Sequence, residues 1–161
     1  MLGRTSPPPD PSTLTIKRLM VASEGRPIAY PVLVKAMELA RPEKASIFVM
    51  TVARVWGTSL GFPNPGLQPS RAEWTEQRLI ARNAVDAFEK AGFDSYAVVL
   101  ATRRARKRVL QEARHRDIDA IVMGCDRNRG LMGDFLWSHE PYRVARKARI
   151  PVYLVPLDET A

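Results

Sequence analysis

The sequence predicts an α/β domain built on a parallel sheet with helices on both faces. Two observations predict it. Ser46–Val52 (Ser-Ile-Phe-Val-Met-Thr-Val) and Ile121-Val122-Met123-Gly124 are short, continuous apolar runs, as strands buried on both faces require. Between such runs lie segments with apolar residues at helical spacing. Alternation of this kind implies right-handed crossovers and a doubly wound sheet. A chain of 161 residues, 45% of them hydrophobic, suits one domain with a full core.

Residues 1–15 read as a flexible leader, because Pro7, Pro8, Pro9 and Pro11 disfavour helix and sheet ladder alike. The domain is expected over 16–157, with 158–161 a short tail. The first strand is Arg18 to Ala22, running into the turn Ser23-Glu24-Gly25. A helix follows from about Ala29 to Ala40, with Pro31 tolerated in its first turn. The second strand is Ser46–Val52. Ala53 to Pro69 holds Gly57, Gly61, Pro63, Pro65, Gly66 and Pro69 and reads as a long loop.

Ser70-Arg71-Ala72-Glu73 has the spacing of a capping box, and Gly92 is placed to end the helix behind it. Trp74, Ala81, Ala84, Val85 and Phe88 give that helix its core face. Ser95–Ala101 is the third strand, Arg103–His115 a basic helix, and Asp119–Met123 the fourth strand. Tyr142–Arg149 is the last helix and Val152–Val155 the fifth strand. In such a sheet, ligands bind in the loops leaving the carboxyl ends of the strands, at the point where the strand order reverses. Attention therefore falls on Cys125 through His139.

Composition narrows the function classes. No apolar run approaches the roughly 20 residues needed to cross a bilayer. The first thirteen residues carry no apolar segment of the signal-peptide kind, so a cytoplasmic protein is expected. One cysteine, Cys125, excludes an intramolecular disulfide, and with His115 and His139 as the only histidines no zinc site is expected. The formal charge is +8. Arg103, Arg104, Arg106, Lys107, Arg108, Arg114 and Arg116 stand against the single acid Glu112. That cluster reads either as a solvated helix face or as an anion-attracting surface, nucleic acid included. It has no aromatic stacking platform with it.

No phosphate-binding loop ending in Gly-Lys-Ser/Thr is present, and no Gly-x-Gly-x-x-Gly fingerprint follows the first strand. Cys125 is the best nucleophile candidate, since a thiol just past a strand end and near a helix N-terminus would be acidified, but a non-catalytic cysteine is the default reading. Asp126 and Asp134 read by default as carboxylates balancing arginines; acid–base work or magnesium binding is the sharper alternative.

Three segments together resemble the universal stress proteins. They are Leu19-Met20-Val21-Ala22-Ser23-Glu24-Gly25, Asp119-Ala120-Ile121-Val122-Met123-Gly124, and Ala148-Arg149-Ile150-Pro151-Val152-Tyr153-Leu154-Val155. The middle segment, an acidic residue before an apolar strand ending in Met-Gly, is the specific one. The resemblance implies a Rossmann-like domain with strand order 3-2-1-4-5 and a switch point beside Ala22 and Gly124. It implies a regulatory role in stress or dormancy, with no catalytic residue. It also implies ATP or AMP as a possible ligand, and a homodimer paired through Val152, Tyr153, Leu154 and Val155.

The family's nucleotide motif is Gly, two residues, Gly, nine residues, Gly, then Ser or Thr. Its glycines let backbone N–H groups approach phosphate, and its closing pair opens a helix toward the phosphates. This chain keeps Gly124, has Arg127 at the second position, and reaches Trp137-Ser138 or Ser138-His139 at the close, according to the end from which one counts. Gly130 and Gly133 lie nearby. The residue that meets base or sugar is usually Asp; here it is Glu24. The implied ligand residues are therefore Ala22, Glu24, Val52, Met123, Gly124, Cys125, Arg127, Ser138 and His139. Arg127 and Arg129 either replace the lost N–H cradle by gripping phosphate or fill its space. Weakened nucleotide binding is the expectation, with a working nucleotide switch as the alternative. A bulky Trp137 would block the phosphate space or seal a dimer surface.

Overall fold

The computed structural model describes residues 13–55, 58–59, 62–63, 68–126 and 140–157. Its strands are β1 (Arg18–Ser23), β2 (Ser46–Arg54), β3 (Thr58–Ser59), β4 (Phe62–Pro63), β5 (Ser95–Thr102), β6 (Ala120–Asp126) and β7 (Val152–Leu157). Its helices are α1 (Tyr30–Ala40), α2 (Arg71–Lys90), α3 (Ala105–His115) and α4 (Glu140–Lys147). Five strands form one parallel sheet in the order β5-β2-β1-β6-β7. In chain order of the long strands this is 3-2-1-4-5, the expected doubly wound arrangement.

The period-2 alternation of the strands divides the core into two layers. Leu19, Val21, Ile47, Val49, Ala120 and Val122 pack beneath α1 and α2 on one face. Met20, Phe48, Met50, Val52, Ile121 and Met123 pack beneath α3 and α4 on the other. Side chains such as Phe48, Leu19, Met20 and Ile121 are fully buried, each contributing roughly 1.5–3 kcal/mol. The capping box at α2 forms as its spacing demands: Glu73 N–H donates to Ser70 Oγ at 3.1 Å, and Ser70 N–H donates to Glu73 Oε2 at 3.1 Å. Gly92, at φ +86, ends α2 in the left-handed region.

Several boundaries differ from the sequence reading: the basic helix starts two residues later, at Ala105, the last strand runs two residues further, to Leu157, and three further differences bear on the site. The segment expected to be a continuous loop after Val52 holds two more strand residues and a small antiparallel pairing, Thr58↔Pro63 and Ser59↔Phe62. The last helix begins at Glu140 and ends at Lys147, two residues earlier at each end than expected. Pro141 sits where its missing N–H has no helical partner, and Pro151 disfavours helix in the residue before it. The largest difference is in β6, which does not stop at Met123. It continues through Gly124 and Cys125 because β7 keeps pairing with it, to Asp126↔Leu157.

Candidate ligand crevice at the switch point

β1 and β6 pair only from Leu19↔Ala120 to Val21↔Val122, whereas β1 runs on to Ser23 and β6 to Asp126. Past Val21 the neighbours β1 and β6 lose their ladder, and a crevice opens where the chain is sent to opposite faces. Ala22, Glu24 and Gly124 line it, together with Ser23, Arg26 and Leu157.

The turn after β1 is held from several sides. Gly25 takes φ +109, a conformation that side chains rarely adopt. Its carbonyl accepts from Gln77 Nε2 on α2 at 2.9 Å. The Glu24 carbonyl accepts from Arg54 Nε at 2.8 Å, and Ser23 Oγ donates to the Arg26 carbonyl. This backbone clamp aims Glu24 inward, where the residue is only 3% exposed.

Arg26 dominates the electrostatics. Its Nη2 and Nε donate to Glu24 Oε1 at 2.9 and 3.2 Å, and its Nη1 donates to Asp126 Oδ1 at 2.8 Å. One guanidinium thus spans the crevice from the end of β1 to the end of β6. Burial opposes its charge, but attraction to Glu24 and the bond to Asp126 outweigh that cost, so its pKa stands above the ordinary arginine value. The space over Gly124 is also taken: a Cβ there would lie 2.9 Å from Leu157 Cδ1 and 3.3 Å from Val32 Cγ2. The cavity lined here by the described residues measures about 20 Å³, room for about one water molecule.

The other expected ligand residues divide into groups. Val52 and Met123 do not face the crevice; both are fully buried in the layer beneath α3 and α4, because strand alternation turns them to that face. Cys125 lies inside β6 at 3% exposure, not just past the strand end, so its thiol is not presented as a nucleophile. Arg127, Ser138 and His139 lie outside the described residues, as do Trp137, Gly130, Gly133, Arg129 and Asp134. Asp126 balances an arginine, as its default reading had it. Among the described residues no group of three or more His, Cys, Asp or Glu gathers as a metal site.

Arg26 was not singled out by the sequence reading. The signal was available, since a cation two residues after the inward carboxylate, across a glycine, can fold back onto it. In the basic stretch, Arg103, Arg104, Arg106 and Lys107 are exposed, while Arg108 and Arg116 pair with Glu112 at 3.2 and 3.1 Å. Arg116 also lies over the Phe48 ring at 4.1 Å. No helix among the described residues is long and apolar enough to cross a membrane.

The universal stress protein family model matches residues 15–156. The chain belongs to that family. Solved universal stress protein structures share the fold throughout. One, from Burkholderia pseudomallei, is 24% identical, with 88% of this chain and 97% of that one covered at a TM-score of 0.65. A universal stress protein from Archaeoglobus fulgidus in complex with dAMP is 20% identical, covering 88% of this chain and 98% of that one at 0.62. A family member from Arabidopsis thaliana with AMP bound is 16% identical, covering 89% and 93% at 0.58. No curated protein matches the chain.

Proposed function

We propose that this universal stress protein is a non-catalytic regulatory domain whose switch-point crevice is closed to nucleotide by its own side chains. The observation that carries the reading is the Glu24–Arg26–Asp126 bridge across the crevice. Small-molecule sites typically occupy 300–1,000 Å³, against the roughly 20 Å³ that the described residues enclose here. Glu24 Oε1, at the position where the family resemblance expects a base or ribose contact, already accepts two bonds from Arg26. Leu157 and Val32 stand over Gly124, where a phosphate would need bare backbone. The described residues therefore do not fit a mononucleotide in this arrangement.

A second reading, a nucleotide switch, draws on the dAMP and AMP complexes of the neighbouring structures. It would require Arg26 to exchange carboxylate for phosphate, a trade that guanidinium chemistry permits, and Leu157 to withdraw. Calorimetric titration with ATP, ADP and AMP to millimolar concentration separates the two. No heat beyond dilution is expected; saturable binding overturns the closed-crevice reading and leaves the switch.

The same reading makes the protein a cytoplasmic homodimer joined through Val152, Tyr153, Leu154 and Val155. β7 ends the sheet among the described residues, its outer backbone groups have no strand partner among them, and the four side chains are half-buried rather than covered. Pro151 carbonyl pairs inward to Ile121 N–H, so alternation turns the backbone groups of Val152 and Leu154 toward the open edge together with those of Pro156, which has no N–H. That favours a short pairing that stops at Pro156. Light scattering at micromolar concentration should give twice the chain mass, and a strict monomer removes the dimer.

A further inference from the structure

We propose that the cavity between the C-terminal ends of α3 and α4 binds a small amphipathic monoanion, a carboxylate on an aliphatic chain. This site lies at the opposite end of the sheet from the switch point and does not depend on how that crevice is read. Its volume is about 260 Å³, more than ten times the space left at the switch point. Its floor is aliphatic: Leu110, Ala113, Ile118 and Ile150. Among the described residues no aromatic ring lines it, so a stacking base or ring finds no platform on them.

Its rim is cationic. Arg114, Lys147 and Arg149 converge on the opening, and none of the three makes an ion pair among the described residues. The one acid on the rim, Asp117, faces Arg18 at 3.9 Å. Two helix C-termini bring roughly half a negative charge each, which answers part of the rim's charge. Arg149 lies beyond α4 and outside that explanation. The positive balance that remains suits one anionic head, and the floor suits an alkyl tail. A free phosphate would find the rim and leave the floor wet.

The test uses the full chain with hexanoate, octanoate and decanoate, against octanol and inorganic phosphate at matched ionic strength. Calorimetry should give one site per chain, with affinity rising about fourfold per added methylene until the floor is covered. Octanol and phosphate should bind at least tenfold more weakly than octanoate. The pair Lys147→Glu and Arg149→Glu, both exposed positions, should weaken octanoate at least tenfold with the thermal midpoint little changed. Methyl shifts in NMR should map to Leu110, Ile118 and Ile150, with the Gly124 amide unmoved. Octanoate binding no better than phosphate, charge reversal without effect, or shifts mapping elsewhere would each overturn the proposal.

Discussion

The two ends of this sheet have gone opposite ways. At the carboxyl end, where doubly wound domains place their ligands, a guanidinium ties two carboxylates together and Leu157 covers the glycine. At the amino end, an aliphatic hollow keeps three cations around its opening. The difference is one of saturation. Charges at the carboxyl end satisfy one another, so a ligand there must break bonds before it makes any. At the amino end Asp117 faces Arg18, but Arg114, Lys147 and Arg149 have no ion pair among the described residues. A fold fixes where a crevice opens, but the side chains decide whether it stays available.

The sharpest way to break this comparison is to remove Arg26. Glu24 is 4% exposed at its side chain, and Arg26→Ala removes the two charge-assisted bonds that the guanidinium gives its carboxylate. The expected loss is about 2 kcal/mol of unfolding free energy, read by urea denaturation. Asp126 is 46% exposed, so Asp126→Asn should cost less than about 1 kcal/mol. Equal losses would mean that the bridge is held by its surface half and that the carboxyl end is not sealed. The sign of the pH response follows from the raised Arg26 pKa. Its stabilisation is complete below the ordinary arginine value and is lost only as pH rises through the folded one. Titration of Arg26 therefore adds no change to the Arg26→Ala loss between about pH 6 and 9.

A smaller effect sharpens the same end. Gly124→Ala should stay within about 0.5 kcal/mol, because the tip of the flexible Leu157 side chain can yield to one methyl. Gly124→Val forces two branches against Leu157 and Val32 and should cost about 2 kcal/mol. Most of that loss should disappear in a Leu157→Ala background. If it persists there, Val32 or the strand itself resists the change, and Leu157 is not the cover.

The fold was legible because its signals are local and repeated. Runs such as Ser46–Val52 admit only a strand covered on both faces, and the helix opened by Ser70 and Glu73 announces its own start. The crevice was legible in place but not in content. Gly124 and Glu24 stand where the first and fourth long strands part, as the Met-Gly segment indicated. That the crevice is bridged was not legible. The bridge joins Arg26 to a carboxylate 100 residues away, and nothing local to either residue records that distance. Cys125 was misplaced for a related reason. A glycine after an apolar run reads as a turn, but pairing with β7 carried the strand three residues further. The amino-end cavity was missed because its rim and floor come from segments about thirty residues apart that read separately as a solvated basic helix and a strand entry.

The smallest expected effect bears on that amino end. Arg114 is exposed on the last turn of α3, with no ion pair among the described residues. Its contribution to the folded state reduces to interaction with the helix dipole, about 0.3 kcal/mol. Arg114→Ala should therefore shift unfolding free energy by less than about 0.5 kcal/mol, or the thermal midpoint by under about 2 °C. Glu112, two residues earlier, gives the internal contrast. It is 8% exposed and pairs with both Arg108 and Arg116, so Glu112→Ala should cost clearly more. A loss of 1 kcal/mol or more (roughly the cost of a cap) at Arg114 would make that cation structural. The amino end would then be as self-satisfied as the carboxyl end, and the contrast between them would reduce to one of volume alone.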